Sequence, residues 1–291
     1  MKVLNFGSLN IDYVYQVENF VRAGETISST ALNLYCGGKG LNQSVAFARA
    51  GAKTYHAGIV GTEGQMLIDM LASSGVDVTF VRKTNDTPTG HAIIQVNRSG
   101  ENCIMLYGGA NETVSDTFAD EVLSNFGEGD LLMLQNEINN LDFIIKTAKS
   151  RGMKIALNPF SFNGRITALD LSLIDYIILN ETEGKEITGK TEPDDIISDL
   201  LSRFPDMKIT LTLGSRGSRY ADRDTCAEQE IFKTKVLDTT AAGDTFTGYF
   251  YFSLLSGKSP EESLKIASKA ASITVSRKGA APSIPSAAEV F

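Results

Sequence analysis

The chain has 291 residues, 42% of them hydrophobic and 21% charged, enough to bury a full core without disulfide staples. Its 27 Lys and Arg against 35 Asp and Glu leave a net charge of −8, which argues against nonspecific attraction to nucleic acid or anionic lipid but not against a local positive pocket. Three scattered cysteines support neither a disulfide framework nor a zinc site, and the two histidines, His56 and His91, exclude a His-rich metal centre.

From the N-terminus, Met1-Lys2 leads directly into a short apolar stretch, too brief for a signal peptide, and no run approaches the ~20 apolar residues of a membrane helix. A soluble, cytoplasmic chain is expected. Residues 2–6, 54–60, 131–134, 154–157, 175–179 and 208–213 read as strands, several apolar on both faces as in a helix-covered parallel sheet. Helical patterns fall near 42–50, 64–74, 117–124, 140–151 and 193–204, and the βα rhythm predicts a three-layer α/β architecture. Segments 12–35 and 89–107 differ. Tyr13–Tyr15, Thr26–Thr30, His91–Val96 and Cys103–Tyr107 read as antiparallel strands, with Asn97–Gly100 as a hairpin turn. They are too few for a domain and fit a small sheet projecting over a cleft. Ala242–Ser256 and Pro260–Ser276 read as consecutive helices, with Phe246, Tyr249, Phe250 and Leu254 on one buried face.

Three segments carry polar residues suited to chemistry. After the first strand, Asn10 and Asp12 stand where ligands of open parallel sheets bind, although Asp12 also suits an Asx turn or helix cap. Residues 36–43 place Gly37, Gly38, Lys39, Gly40 and Asn42 ahead of an apolar helix. The glycines allow close ligand approach, and Lys39 with Asn42 can grip a polyol. The segment is neither a P-loop, since Gly40 follows the lysine, nor a dinucleotide fingerprint, and it reads equally as a turn that starts a helix. The third is 238–246, small residues leading into a helix. Its first amides lack intrahelical acceptors and can receive a phosphoryl oxyanion, with Asp244 beside them to take a proton. Helix-start amides weaken a carboxylate as a base, which phosphoryl transfer tolerates because the hydroxyl proton leaves late. An isolated Gly-Asp pair would read as a cap; the whole string favours catalysis.

Taken together, GSLNID at 7–12, GGKGLNQSVAFARAGA at 37–52, NETE at 180–183, TLGSRG at 212–217, DTTAAGDTFTG at 238–248 and SRKGAAPS at 276–283 resemble the ribokinase branch of the ribokinase-like (PfkB) carbohydrate kinases over nearly the whole chain. The resemblance implies one α/β domain over 1–291, a three-layer ribokinase-like fold with a central mostly parallel sheet and a small β-sheet lid from parts of 12–35 and 89–107. It also implies a homodimer through that lid. The implied sugar site comprises Asn10, Asp12, Gly38, Lys39, Asn42, Glu137 and Asp244. Asp244 is the implied catalytic base and Ala241, Ala242 and Gly243 the anion hole. Asn180 and Glu183 would organise Mg²⁺ and phosphate, Glu183 largely through water, with Thr212 and Gly214 near the ATP phosphates. A K⁺ site would draw on Asp238, Thr240, Thr274, Arg277, Gly279 and Ser283, several through main-chain oxygen.

Without the resemblance, Glu137 reads as a loop acid, Glu183 as a helix cap, 213–217 as a turn, and the last stretch as a turn closing a helix. Cys36 departs from the family pattern, which often has proline there. Asn33, Tyr35, His91 and Tyr107 fall around the sugar mouth or dimer edge, with lid packing expected of His91. The implied reaction is ATP-dependent phosphorylation of D-ribose at the 5-hydroxyl. Fructose, deoxyribose or tagatose could replace ribose; a catalytically silent sugar- or nucleotide-binding protein is the reading from another class, and a NAD-linked dehydrogenase the weakest.

Overall fold

A computed structural model describes residues 1–160 and 164–291. The first strand, β1 (Lys2–Phe6), is followed by β2 (Asn10–Gln16) and β3 (Ala31–Gly37), then helix α1 (Lys39–Ala50). Next come β4 (Lys53–Val60), α2 (Gln65–Ser73), β5 (Asp77–Lys83), β6 (Gly90–Val96) and β7 (Asn102–Tyr107). A regular alternation follows: α3 (Asp116–Leu123), β8 (Leu131–Gln135), α4 (Leu141–Ser150), β9 (Lys154–Asn158), α5 (Gly164–Thr167) and β10 (Tyr176–Asn180). The chain continues through α6 (Glu181–Thr188), α7 (Pro193–Arg203), β11 (Lys208–Thr212), β12 (Ser218–Ala221) and β13 (Cys226–Gln229). It closes with α8 (Ala242–Leu255), α9 (Pro260–Val275) and the short α10 (Ala287–Val290).

Among the described residues nine strands form the main sheet in the order β13-β12-β11-β10-β9-β8-β1-β4-β5, parallel except where β12 and β13 join antiparallel. Alternate residues feed two cores, as a sheet covered on both faces requires. Leu4, Phe6, Leu132, Leu134, Ile155 and Leu157 pack towards α3 and α4. Val3, Leu131, Met133, Ala156 and Ile178 pack towards α1 and α8. The chain leaves β1 for β4 on one side and later returns to β8 on the other, so the strand order reverses beside β1. At such a switch point the connections diverge and open a crevice at the carboxyl edge.

The second sheet has the order β3-β2-β6-β7. It corrects the antiparallel expectation in one respect: β2 and β6 run parallel, because β4, α2 and β5 intervene between them. The 97–100 hairpin turn forms as expected, with Asn97 Oδ1 accepting from the Ser99 and Glu101 amides. Thr26–Thr30 is not a strand. Its residues are exposed, and β-branched composition alone does not hold extended chain without a partner. α8 also departs from the one-faced expectation. It is buried nearly all round from Asp244 to Tyr251, because α1 and α9 both pack on it, while Leu254 is only half-buried. No helix among the described residues is long and apolar enough to cross a membrane.

Candidate active site

The crevice beside β1 is closed from below by a very short approach between chain segments. A Cβ on Gly40 would lie 2.4 Å from the Ser8 amide nitrogen, so only glycine lets the start of α1 rest on the turn after β1. Gly38 precedes the helix at φ 96°, a backbone that side chains strain to adopt. α1 and α8 approach as closely: a Cβ on Gly248 would sit 2.5 Å from Ala46 Cβ. This contact carries Asn42 and Gln43 to Asp244. Asn42 Nδ2 donates to Asp244 Oδ2 at 3.1 Å and Gln43 Nε2 donates to Oδ1 at 3.0 Å. Lys39 Nζ stands 4.0 Å from the same Oδ1 and 4.5 Å from the centre of the Phe160 ring.

Around the crevice, Glu137 Oε2 accepts from Ser8 Oγ and, at 3.1 Å, from the Lys39 amide. Asn10 and Asp12 do not lie in a loop beyond β1; they are the first and third residues of β2, on one face of the lid. Asn10 Oδ1 accepts from Asn111 Nδ2 at 2.7 Å, and Asn111 Oδ1 accepts from the Leu9 amide at 3.0 Å. Gly37, opposite Asn10 on β3, leaves room for the Asp12 side chain: a Cβ there would fall 2.2 Å from Asp12 Oδ2. Burial, reinforced by the charge of Glu137, lifts the Asp12 carboxyl to about 6. Burial also raises Glu137, against the hydrogen bond from Ser8 and the charge of Lys39. Burial would lower Lys39, but the carboxylates of Asp244, Glu137 and Glu183 outweigh it and hold the ammonium above its usual range. Asn42 Oδ1 is buried and accepts no hydrogen bond among the described residues.

On the other side of Asp244 lies a cavity of about 450 Å³. Asn180, Thr212, Gly214, Thr239, Ala242 and Gly243 give it a polar end, and Ile231, Phe232, Val236, Ala271 and Val275 give it apolar walls. Ala241 takes a left-handed conformation at φ 60°, turning the chain into α8, and nothing lies within 4 Å of where a Gly243 Cβ would be. Ala242 and Gly243, in the first turn of α8 where amides lack helical acceptors, line the cavity, and the Ala242 amide donates to the Thr239 carbonyl at 3.3 Å. Asn180 and Glu183 form a capping box on α6: Asn180 Oδ1 accepts from the Glu183 amide and Glu183 Oε2 from the Asn180 amide, both at 2.9 Å. Glu183 is buried and its carboxyl raised by that burial.

Of the residues expected to hold K⁺, three converge. Asp238 Oδ1 accepts from the Thr240 amide and hydroxyl, and Oδ2 from the Gly279 amide at 2.9 Å. Thr274 Oγ1 instead meets Thr245 Oγ1 at 3.0 Å inside the core, Ser283 Oγ donates to Ala280 O in its own turn, and Arg277 pairs with Glu289. Among the described residues no cluster of three or more His, Cys, Asp or Glu could hold a metal. A cation here would rest on main-chain oxygens and the remaining lone pairs of Asp238. His91 packs in the lid between Tyr13 and Tyr107, as expected.

Several residues that shape the crevice escaped the sequence reading. Ser8, Gln43 and Asn111 orient the groups above, and 231–236 with α9 wall the cavity. The available signal was faint: buried amides ending apolar strands, and Ser268, Ala271 and Ser272 as small residues on one face of α9.

A mostly parallel sheet whose switch point joins a polar crevice, lidded by a second sheet, to a cavity of about 450 Å³ has the architecture of an enzyme that brings two small molecules together. The chain belongs to the pfkB family of carbohydrate kinases, whose model matches residues 1–287. It is 36% identical to the ribokinase of Haemophilus influenzae over 98% of this chain and 95% of that one. It superposes on Arabidopsis thaliana ribokinase, solved in complex with ribose and ATP, with a TM-score of 0.87 and 33% identity, over 99% of this chain and 97% of that one. It is also 30% identical to the deoxyribokinase of Salmonella typhi, over 98% of this chain and 96% of that one.

Proposed function

We propose that the protein transfers the γ-phosphoryl group of ATP to the 5-hydroxyl of D-ribose, giving ribose 5-phosphate and ADP. The observation that carries this reading is the position of Asp244. It stands on the first turn of α8, held by Asn42 and Gln43, with the lidded crevice on one side and the cavity on the other. Asp12, Asn10, Glu137, Lys39 and Asn42 supply donors and acceptors of the kind furanose hydroxyls need. Gly38 allows close backbone approach to the sugar.

In this mechanism Asp244 orients the 5-hydroxyl in line with the γ-phosphorus. As the new O–P bond forms, its carboxylate takes the hydroxyl proton, while the electrons of the breaking P–O bond leave with ADP. The amides of the 241–243 turn receive the charge on the transferred oxygens. Thr212 and Gly214 serve the nucleotide phosphates. Glu183, with one carboxylate oxygen engaged in the capping box, has the other available towards Mg²⁺ or its water, with Asn180 beside it. Bound Mg²⁺ would neutralise phosphate charge. Asp238, Thr240 and Gly279 suit a K⁺ site with oxygen ligands from 274–283, including Thr274, Arg277 and Ser283 through the main chain. The lid excludes water, a competing acceptor. A single α/β domain paired with a second copy through the lid, and residence in the cytoplasm where ATP is available, complete the proposal.

An ADP-release assay over ribose, deoxyribose, fructose and tagatose, with and without K⁺, tests the reading. Ribose should give the highest kcat/KM. The deoxyribokinase relative makes deoxyribose the second candidate, and a higher value for it would transfer the assignment. Asp244→Asn should retain sugar binding and lose about 10²–10⁴-fold in kcat, the span of a general base. Near-normal turnover would remove the role given to Asp244.

A further inference from the structure

Four buried amides lie beneath Asp244, one at or near the carboxyl end of each of three neighbouring strands and one on α1. They are Asn5 on β1, Gln135 on β8, Asn158 on β9 and Gln43 on α1. Asn5, Gln43 and Gln135 are wholly inaccessible to solvent, and Asn158 nearly so. Their hydrogen bonds form one chain. Asn5 Nδ2 donates to the Gly40 carbonyl at 2.8 Å, so Asn5 Oδ1 faces away and accepts from Gln135 Nε2 at 3.0 Å. The same Nε2 donates to Gln43 Oε1 at 2.7 Å. Gln43 Nε2 is thereby directed to Asp244 Oδ1 at 3.0 Å and to Asn158 Oδ1 at 3.2 Å. Asn158 Nδ2 ends the chain on the Ile178 carbonyl at 3.0 Å.

Main-chain carbonyls accept and never donate, so tying both ends of the chain to them fixes the sense of every amide between. Turning Gln43 over would set its carbonyl against Asp244, against Asn158 Oδ1, and its NH₂ against that of Gln135. Three contacts would fail together in a dry interior, where unpaired polar groups are costly. Nothing in sugar or nucleotide recognition requires this arrangement, because none of the four amides lines the cavity and Gln43 is sealed from the crevice.

We propose that Gln43 is a positioning residue for Asp244, and that Gln135, Asn5 and Asn158 lock it with its donor facing the carboxylate. Anchoring Oδ1 fixes the rotation of the carboxylate and leaves Oδ2, beside Asn42, to meet the sugar hydroxyl. The inference rests on Asp244 acting as the base.

The test compares full-length wild type, Gln43→Met, Gln135→Leu, the double variant, Gln43→Glu and Asp244→Asn by ADP release at saturating ribose and ATP, with ribose titrations for KM. Methionine keeps the length of Gln43 and removes its donor. Gln43→Met should lower kcat roughly 10²-fold, the scale of a small misplacement of a reacting group, with KM for ribose changed less than threefold. Gln135→Leu should cost less, about tenfold, and add little to Gln43→Met, because both act on one contact. Gln43→Glu, which retains the size and polarity of the side chain, should fall at least as far as Gln43→Met; it decides alone if the methionine variant does not fold. A kcat within twofold of wild type in a folded Gln43 variant, or losses that multiply in the double variant, would overturn the proposal. If Asp244→Asn turns over normally, the base assignment fails instead. If Asp244→Asn is inactive while the Gln43 variants are normal, only the positioning role is lost.

Discussion

Asp12 is a carboxylate held where its surroundings disfavour its charge. Burial and the neighbouring Glu137 raise its carboxyl from the usual 3.8 to about 6. It is therefore mostly ionised at neutral pH and loses its charge as pH falls through 6. A neutral carboxyl is a poorer acceptor for two hydroxyls, so KM for ribose should rise on acidification, approaching tenfold per pH unit below 6 if ionised Asp12 is required. Asp12→Asn should show a raised KM that stays flat between pH 5 and 8; a profile unchanged from wild type would assign the acid limb to another group. The stability sign is opposite. Because the folded value exceeds the unfolded one, the folded state binds the extra proton between about 4 and 6, and ionised Asp12 at neutral pH opposes folding. Asp12→Asn should therefore raise the melting temperature at pH 7.5. At this scale the charged residues were legible in the sequence, since Asp12, Lys39 and Asp244 stand in dense polar strings. Gln43, Gln135 and Asn111 were not, because a buried amide carries no local sign of the distant partner that satisfies it, whether it ends an apolar strand as Gln135 does or stands in a polar turn.

Among the elements, the pairing of α1 with α8 matters most to the site. Their separation is set by Gly248 against Ala46, and their closeness places Asn42 and Gln43 on Asp244. Gly248→Ala would put a methyl 2.5 Å from Ala46 Cβ and 2.7 Å from the Phe47 nitrogen, in a core with no space to yield. Overpacking of this kind costs about 1–3 kcal/mol, read as a lower midpoint in urea. kcat should fall with it, because the helices separate at the catalytic end. A variant with unchanged midpoint would show that the two helices slide apart freely. The sequence revealed both helices and the parallel core strands, where apolar runs and helical spacing are long. It missed β5, α6, β13 and the short α5 and α10, and placed a strand at Thr26–Thr30 where the lid instead uses β3 at Ala31–Gly37. β5 is half-exposed and mixes charge with apolar residues, so its periodicity is weak. α6 is short and polar, held by its capping box more than by an apolar face. The parallel β2–β6 pairing depends on a connection passing through the other sheet, which no window of sequence contains.

For the molecule as a whole, the lid is a sheet whose outer strands carry apolar side chains that the described residues leave uncovered. Every residue of β7 is exposed, and Ile104, Met105 and Leu106 are each more than half accessible, with Leu32, Leu34 and Tyr35 nearly so on β3. Apolar surface of this extent on a sheet edge calls for a partner, and a second copy is the one implied by the family resemblance. Light scattering should give wild type a mass near twice 31.4 kDa. Ile104→Lys with Leu106→Lys should return it to the single-chain mass without unfolding, since both side chains already face solvent. A wild-type mass of one chain, or a double variant that remains paired, would remove the lid-mediated dimer.

The seven residues of β2 are matched one for one with β3 and with β6, from Asn10 to Gln16. Because neighbouring side chains on a strand alternate between faces, inserting or deleting a single residue there would point Asp12 away from the crevice and bring Ile11 or Tyr13 into it. A change of length in this stretch breaks two ladders at once, whereas the excursion from 19 to 29 joins no ladder and touches the sheet through the Val21 amide on Gln95 Oε1. Attempts to retune sugar preference by library methods should accordingly vary the identities at alternate positions of this strand and leave its spacing alone.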